Sequence, residues 1–499
     1  MNKISLLYAK NIISRKAAQQ ELSFLLQVEN IAFGKSVTIV WTGEDGVWHE
    51  LPAAYHGSID NAREYWFAHR TFPLSADQSL PGNVQFALRY RVAGVEYWDN
   101  HQGENFSIQA DSGVLLAPDR PLLRVECARR LADQQLLLPV VVAVNSGLKA
   151  GRVSIEWTTD DWKTSRQTVA RYRRNYWDSE FASNARNPNH YGCKIWDALL
   201  KVGDAFRVQY RIACEIGRQV RYDDNSGQNH VVARRPLSVM ILNLHCCQEE
   251  DQDDKLSQIA RAIDELGVDI VCLQEVAELW NDGQGDWQTN TARIINQRLR
   301  SPYHLATDWS HLGFERYREG VAVLSRYPIE RQQARYVSSN SDPYSIHSRK
   351  VVMARIKVPC FGLINVFSSH LSWWDDGFAE QFDKLRRWAT EEHVGEVVGS
   401  MLCGDFNIKA GSRGYQQVVE SDEYQDQYLA VNSPQVFRRV FETRDARWQR
   451  YLDDDDRIDY IFLRRGSALC VTSGRSVFTE QDYGRVSDHI GYLMSFEPT

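Results

Sequence analysis

Residues 237–275 carry the most restrictive pattern in the chain. Leu237-Ser238-Val239-Met240-Ile241-Leu242-Asn243 is a continuous apolar run that ends in a carboxamide, as a strand buried on both faces would. Over 255–266 the apolar residues Leu256, Ile259, Ile263 and Leu266 recur at helical spacing, and Gly267 stops the helix. A second buried strand, Asp269-Ile270-Val271-Cys272-Leu273-Gln274-Glu275, then ends in a carboxylate. A strand, helix, strand unit of this length closes as a right-handed crossover with parallel strands. Asn243 and Glu275 are therefore expected at the same edge of one sheet, where open α/β sheets keep their chemistry.

The pattern repeats downstream. Gly320-Val321-Ala322-Val323-Leu324-Ser325 begins directly after Glu319, and the strand 361–369 runs into His370. Ser348-Arg349-Lys350 precedes the strand 351–356. Met401-Leu402-Cys403-Gly404-Asp405-Phe406-Asn407 leaves a strand through a glycine and presents Asp405 and Asn407. Arg457-Ile458-Asp459-Tyr460 and Val486-Ser487-Asp488-His489 complete the series. A single strand-end Asp commonly caps a helix or closes an Asx turn, so the weight rests on the ordered set.

Residues 20–110 follow a different pattern of short alternating strands, such as 36–41 and 84–92, separated by turns at Gly43-Glu44-Asp45-Gly46 and Ala93-Gly94. The pattern returns after a fixed interval. Trp98-Asp99-Asn100-His101-Gln102-Gly103-Glu104-Asn105 aligns with Tyr222-Asp223-Asp224-Asn225-Ser226-Gly227-Gln228-Asn229 at an offset of 124. Two copies of one β-sandwich domain explain this, with Arg234-Arg235-Pro236 as the linker to the α/β half. The expected division is 1–118, 119–235 and 236–499, in keeping with a length of 499 residues.

Tyr97-Trp98-Asp99-Asn100 and Gly103-Glu104-Asn105-Phe106 resemble the closing strands of family 21 starch- and glycogen-binding modules. The second copy departs from that pattern at Asp224 and His230. The resemblance implies glycan contacts from Trp98, Asn100, Asn105, Tyr222 and Asn229, by ring stacking and hydroxyl hydrogen bonds. The competing reading makes Trp41 and Trp157 core residues and the Asn and Asp positions hairpin turns.

Asn243, Gln274-Glu275, His370-Leu371, Gly404-Asp405-Phe406-Asn407, Arg457-Ile458-Asp459-Tyr460 and Ser487-Asp488-His489 resemble, in this order, the motifs of the endonuclease/exonuclease/phosphatase superfamily. The resemblance covers residues 237–496. It implies a four-layer α/β sandwich behind two immunoglobulin-like all-β sandwiches, and phosphoester cleavage with a divalent metal, magnesium with manganese as a substitute. By motif, Glu275, Asn243 and Asp488 hold the metal. Asp405 activates water, Asn407 binds phosphoryl oxygens, and His489, held by Asp459, donates to the transition state at the phosphate. His370 protonates the leaving group with Glu319 as its partner, and Arg349 contacts phosphate. His245 departs from abasic-site endonucleases, which are acidic there. Arg457-Ile458-Asp459-Tyr460 departs from the Trp-Cys-Asp-Arg signature of inositol 5-phosphatases.

Composition narrows the partners. Residues 1–235 hold 29 Lys+Arg against 25 Asp+Glu, and residues 236–499 hold 29 against 40. An acidic catalytic half opposes sequence-blind binding of long nucleic acid. Nine cysteines without paired CxxC motifs suggest a reducing, cytoplasmic location. The Met1–Lys10 stretch is too short for a signal-peptide core, and no segment reads as membrane-spanning. Ser372-Trp373-Trp374 invites two readings, stacking or lipid contact beside the cleft, or cover for the helix 378–388. Asp453-Asp454-Asp455-Asp456 reads as a solvated loop. Three functions remain: a magnesium-dependent phosphodiesterase, nuclease-like in chemistry and held near its target by the two sandwich modules, whose phosphoester substrate (nucleic acid, nucleotide or lipid headgroup) stays open; a sphingomyelinase-like lipid phosphodiesterase; and a polysaccharide-binding scaffold with a vestigial catalytic half.

Overall fold

The computed structural model describes residues 3–75, 79–126, 130–281, 283–432 and 457–499. Cys127 and the acidic run Asp453 to Asp456 lie outside them. The chain is mostly β and forms two compact units, Met1–Arg235 and Pro236–Thr499.

In the first unit, alternating apolar residues build two pairs of antiparallel sheets. One pair has the orders Gly113–Leu116, Ile4–Ser14, Gln19–Glu29, Arg63–Pro73, Ala54–Ser58 and Trp48–Pro52, Lys35–Thr42, Val84–Val92, Val95–Asp99. Its core includes Phe24, Ile39, Trp41 and Phe86. The second pair is built on Leu137–Asn145 with Cys193–Lys201 and on Arg152–Thr158 with Arg207–Ile216, around Ile155, Trp157 and Tyr210. Trp41 and Trp157 are thus core residues, not sugar platforms. A third cluster joins Leu7, Tyr8, Leu25 and Val114 to Val141, Ala143, Trp177 and Ile195, so the two halves share buried apolar surface. Asn189 Nδ2 fastens them by donating to the carbonyls of Ser112 and Val114.

The second unit faces two large sheets across one core. The first runs His304–Gly313, Tyr317–Ser325, Ile270–Asn281, Leu237–Asn243, Gly491–Pro498, Leu469–Val477. The second runs Ile329–Tyr336, Lys350–Val358, Gly362–His370, Val397–Asp405, Asp459–Arg464, Tyr424–Asp426. Val239, Ile241, Cys272, Val323, Val366, Met401, Cys403 and Ile461 fill the space between them. Helices Gln252–Leu266 and Thr291–Arg298 cover the outer face of the first sheet, and Phe378–Glu392 with Arg413–Glu420 covers that of the second. Leu237–Asn243 and Ile270–Asn281 are parallel, as are Gly362–His370 and Val397–Asp405.

Some boundaries differ from the sequence reading. The first helix starts at Gln252, with Asp253 and Asp254 in its first turn where the helix dipole favours acids. Glu319 lies inside Tyr317–Ser325 because that strand is paired on both sides as far as Tyr317. The helix after Trp374 continues to Glu392, whose buried carboxylate binds Arg331 and Arg355. Among the described residues, no helix is long and apolar enough to cross a membrane.

Candidate active site

Strand ends from both sheets of the second unit meet in a cleft of about 650 Å³. Asn243 terminates its strand, and its Nδ2 donates to Glu275 Oε1 at 2.8 Å and to Asp405 Oδ2 at 3.1 Å. Glu275 sits at a β-bulge between Leu273 and Val276, with φ +49. A bulge re-aims the side chain that an even ladder would leave beside Gln274, and a non-glycine residue with this backbone is held there by its surroundings.

On the second sheet, His370 and Asp405 are paired across parallel strand ends, and Asp405 and Asp459 across antiparallel ones. Register alone brings these three residues together. Asp405 Oδ1 accepts from the Asn407 amide at 2.8 Å, so both carboxylate oxygens are held. Its Oδ2 lies 3.7 Å from His370 Nε2 and 3.8 Å from His489 Nε2. His489 Nδ1 is 2.7 Å from Asp459 Oδ2. His370 Nδ1 is 3.5 Å from Glu319 Oε1, and Arg349 Nη1 is 3.3 Å from the same His370 nitrogen. Asn407 Nδ2 donates to the Leu371 carbonyl, which leaves its second amide hydrogen for another acceptor.

The ten cleft residues expected from the sequence do not all converge. Asn243, Glu275, Glu319, Arg349, His370, Asp405, Asn407, Asp459 and His489 form one connected set. The Asp488 carboxylate turns to His245 Nδ1 at 3.6 Å, and His245 in turn contacts Glu249 at 2.7 Å. His311, absent from the sequence reading, is buried with Nε2 3.6 Å from Glu319, and its Nδ1 donates to the Ser348 carbonyl. Trp373 lines the cleft, whereas Trp374 packs on Arg413 and Phe378.

Electrostatics sort the acids. Burial, reinforced by neighbouring Glu319 and Asp405, raises the Glu275 carboxyl above its usual range. Burial and the Asp459 charge raise Asp405. Burial would also raise Glu319, but contacts from His311 and His370 hold it low. Burial opposes protonation of His489, yet Asp459 prevails and lifts its pKa to about 10.

Among the described residues, three groups bring ligand atoms within 4.8 Å of one another: Glu275, His370 and Asp405; Asp405, Asp459 and His489; and His245, Glu249 and Asp488. Crowded, buried carboxylates whose ionised forms repel one another fit a divalent cation that takes oxygen donors.

The glycan candidates of the first unit divide in two. Trp98 and Tyr222 remain 45% exposed, each with an arginine over its ring, Arg89 and Arg211. Asn100 caps a turn through Gly103, and Asn105 and Asn229 hold left-handed backbone positions in the same hairpins. Asp223 is buried between His230 and the Arg124 amide.

Comparisons with known proteins match a stretch of each unit separately. Residues 4–109 match the Carbohydrate/starch-binding module (family 21), and 99 residues are 37% identical to protein phosphatase 1 regulatory subunit 3E of Mus musculus, covering 19% of this chain and 31% of that protein. An uncharacterized protein, YbhP of Escherichia coli strain K12, is 34% identical over 161 residues, covering 30% of this chain and 58% of that protein. The matches thus span 31% and 58% of these relatives' lengths. A solved structure of an endonuclease/exonuclease/phosphatase family protein from Leptotrichia buccalis is 23% identical, covering 52% of this chain and 99% of that one, with a TM-score of 0.43. Residues 240–489, half of the chain, match the Endonuclease/Exonuclease/phosphatase family across every strand end that builds the cleft, and the chain belongs to that family.

Proposed function

We propose that the chain is a divalent-metal-dependent phosphoester hydrolase, with magnesium as the favoured ion, held near α-glucan by residues 4–109. The observation that carries this reading is Asp405, fixed at both oxygens, flanked by His370 and His489 and adjoining Glu275. Glu275 and Asn243 would hold the metal, with the Asp488 cluster as a neighbouring ligand group. When bound, a divalent ion supplies positive charge that offsets the charge on phosphoryl oxygens.

The chain's own residues do the rest. Asp405 orients water and takes its proton. His489, kept protonated by Asp459, donates to a phosphoryl oxygen, and Asn407 supplies its remaining N–H. His370, aligned by Glu319, gives a proton to the leaving oxygen, and Arg349 orients the phosphate. The order helix, sheet, sheet, helix in residues 236–499 supports a four-layer α/β sandwich. The paired antiparallel sheets of the first unit support two immunoglobulin-like domains, and the free thiols support a cytoplasmic location.

Release of p-nitrophenol from p-nitrophenyl phosphate and bis(p-nitrophenyl) phosphate, cleavage of single-stranded DNA, and release of phosphocholine from sphingomyelin vesicles, with magnesium or with chelator, test the reading. Chelator-sensitive turnover of at least one compound is expected. No turnover on any of them overturns it and favours a glucan-binding scaffold.

A further inference from the structure

The cleft has polar walls and an apolar rim. Phe314 is 64% exposed, Tyr344 69%, Ile346 59% and Trp373 48%, and all four line it. They come from three separate segments, each held in place. Phe314 sits in a turn whose backbone is left-handed at Phe314 and Glu315. Tyr344 and Ile346 belong to a loop tied down by Leu312 N to Pro343 O and by Ser348 Oγ to Asp342 O. Trp373 comes three residues after His370. Exposed apolar side chains, three of them aromatic, on separately anchored segments around one polar cleft mark a binding surface.

The charge of the cleft selects among flat substrates. Glu275, Glu315, Glu319 and Asp405 line it against one arginine, Arg349, and the histidines His311, His370 and His489, with no lysine among the described residues. Such a site accepts one phosphate and repels the flanking phosphates of a nucleic acid. The acidic charge of residues 236–499 likewise opposes an anionic membrane. A neutral polyol bearing an isolated phosphate meets neither penalty, and the face of a pyranose ring stacks on Tyr or Trp. A volume of about 650 Å³ admits such a ring with its phosphate.

We infer that the substrate is a phosphate monoester carried on an α-glucan, with the phosphate among Arg349, His370, Asp405 and His489 and the sugar against Tyr344 and Trp373. This rests on the phosphoesterase reading above. The match of residues 4–109 to a starch-binding module supports it independently, since a tethered module raises the local concentration of the polymer. In the reaction the oxygen of water attacks phosphorus and the bond from phosphorus to the sugar oxygen breaks. Asp405 takes one water proton, the sugar oxygen receives a proton from His370, and a glucan hydroxyl and inorganic phosphate leave.

The test uses the full chain with magnesium and measures kcat/KM on phosphorylated maltodextrin, p-nitrophenyl phosphate, bis(p-nitrophenyl) phosphate, single-stranded DNA and sphingomyelin vesicles. Phosphorylated maltodextrin is expected to be the best substrate. Tyr344→Ala with Trp373→Ala is expected to raise its KM about tenfold, the size of stacking contacts. Turnover of a generic ester, DNA or sphingomyelin with an inert maltodextrin phosphate overturns this inference and leaves the phosphoesterase reading standing. No turnover on any compound overturns both.

Discussion

Asp459→Asn isolates the force that keeps His489 protonated. Nδ1 of His489 lies 2.7 Å from Asp459 Oδ2, and that contact leads the effects that lift the imidazole from 6.5 to about 10 against the opposing effect of burial. The difference corresponds to about 5 kcal/mol. Because the folded pKa is raised, the stabilisation is fully present below the unfolded value, falls above it, and is gone once pH passes the folded value. Asparagine keeps the shape and removes the charge. The charges of Asp405 and Asp488 still act on the ring, so a partial return toward the ordinary value is expected. Imidazole NMR on the metal-free protein reads this directly. The wild type should hold the His489 proton beyond pH 9, whereas the variant should lose it at least two pH units earlier, equivalent to ~3 kcal/mol. Equal midpoints in the two proteins, or a wild-type midpoint near 6.5, would refute the reasoning.

Buried groups elsewhere give three further outcomes. Arg457 is buried and bidentate to Asp426, with Tyr415 donating to the same carboxylate, so Asp426→Ala should cost about 3–5 kcal/mol and lower Tm by about 10 °C. A methyl group at Gly404 would stand 2.2 Å from the Ser369 carbonyl oxygen, at a backbone φ of +130, and Gly404→Ala should therefore lower the urea midpoint and disturb Asp405 next to it. His230 is buried and held neutral, chiefly by burial, with Nδ1 lacking a partner and Nε2 donating to Asp223. Below about pH 6.5 the unfolded chain binds a proton that the folded one resists, so amide protection in Arg207–Ile216 should weaken from pH 7 to pH 5, and His230→Gln should flatten that slope. Protection equal at both pH values would contradict it.

Strand ends such as Asn243 and Asp405 were readable from the sequence because their buried strands are largely apolar runs that stop at a polar residue, and His370 and Asp459 were readable because each adjoins such a strand at its edge. Parallel and antiparallel register then aligns them without further information. His311 was not readable. It lies on a half-exposed strand, His304–Gly313, with a register shift between Trp309 and His311, and its role exists only through Glu319 and Ser348. Phe314, Tyr344 and Ile346 sit in loops, where no period marks a functional face. Asp488 matched its motif by order, but order does not say which way a carboxylate turns. The apolar surface shared by the two pairs of sheets stayed hidden for a related reason: Tyr8 and Leu25 belong to strands whose other face already fills a core.

Metal-dependent turnover by Asp405→Asn tests the central claim most directly. The amide keeps the volume but cannot take a proton from water. With magnesium and the best phosphoester of the panel, kcat should fall by about 10²–10⁴, the usual contribution of a positioned base, while the thermal transition of the protein persists. Unchanged turnover in the variant would contradict the account, because it would remove Asp405 from the reaction around which the cleft is built.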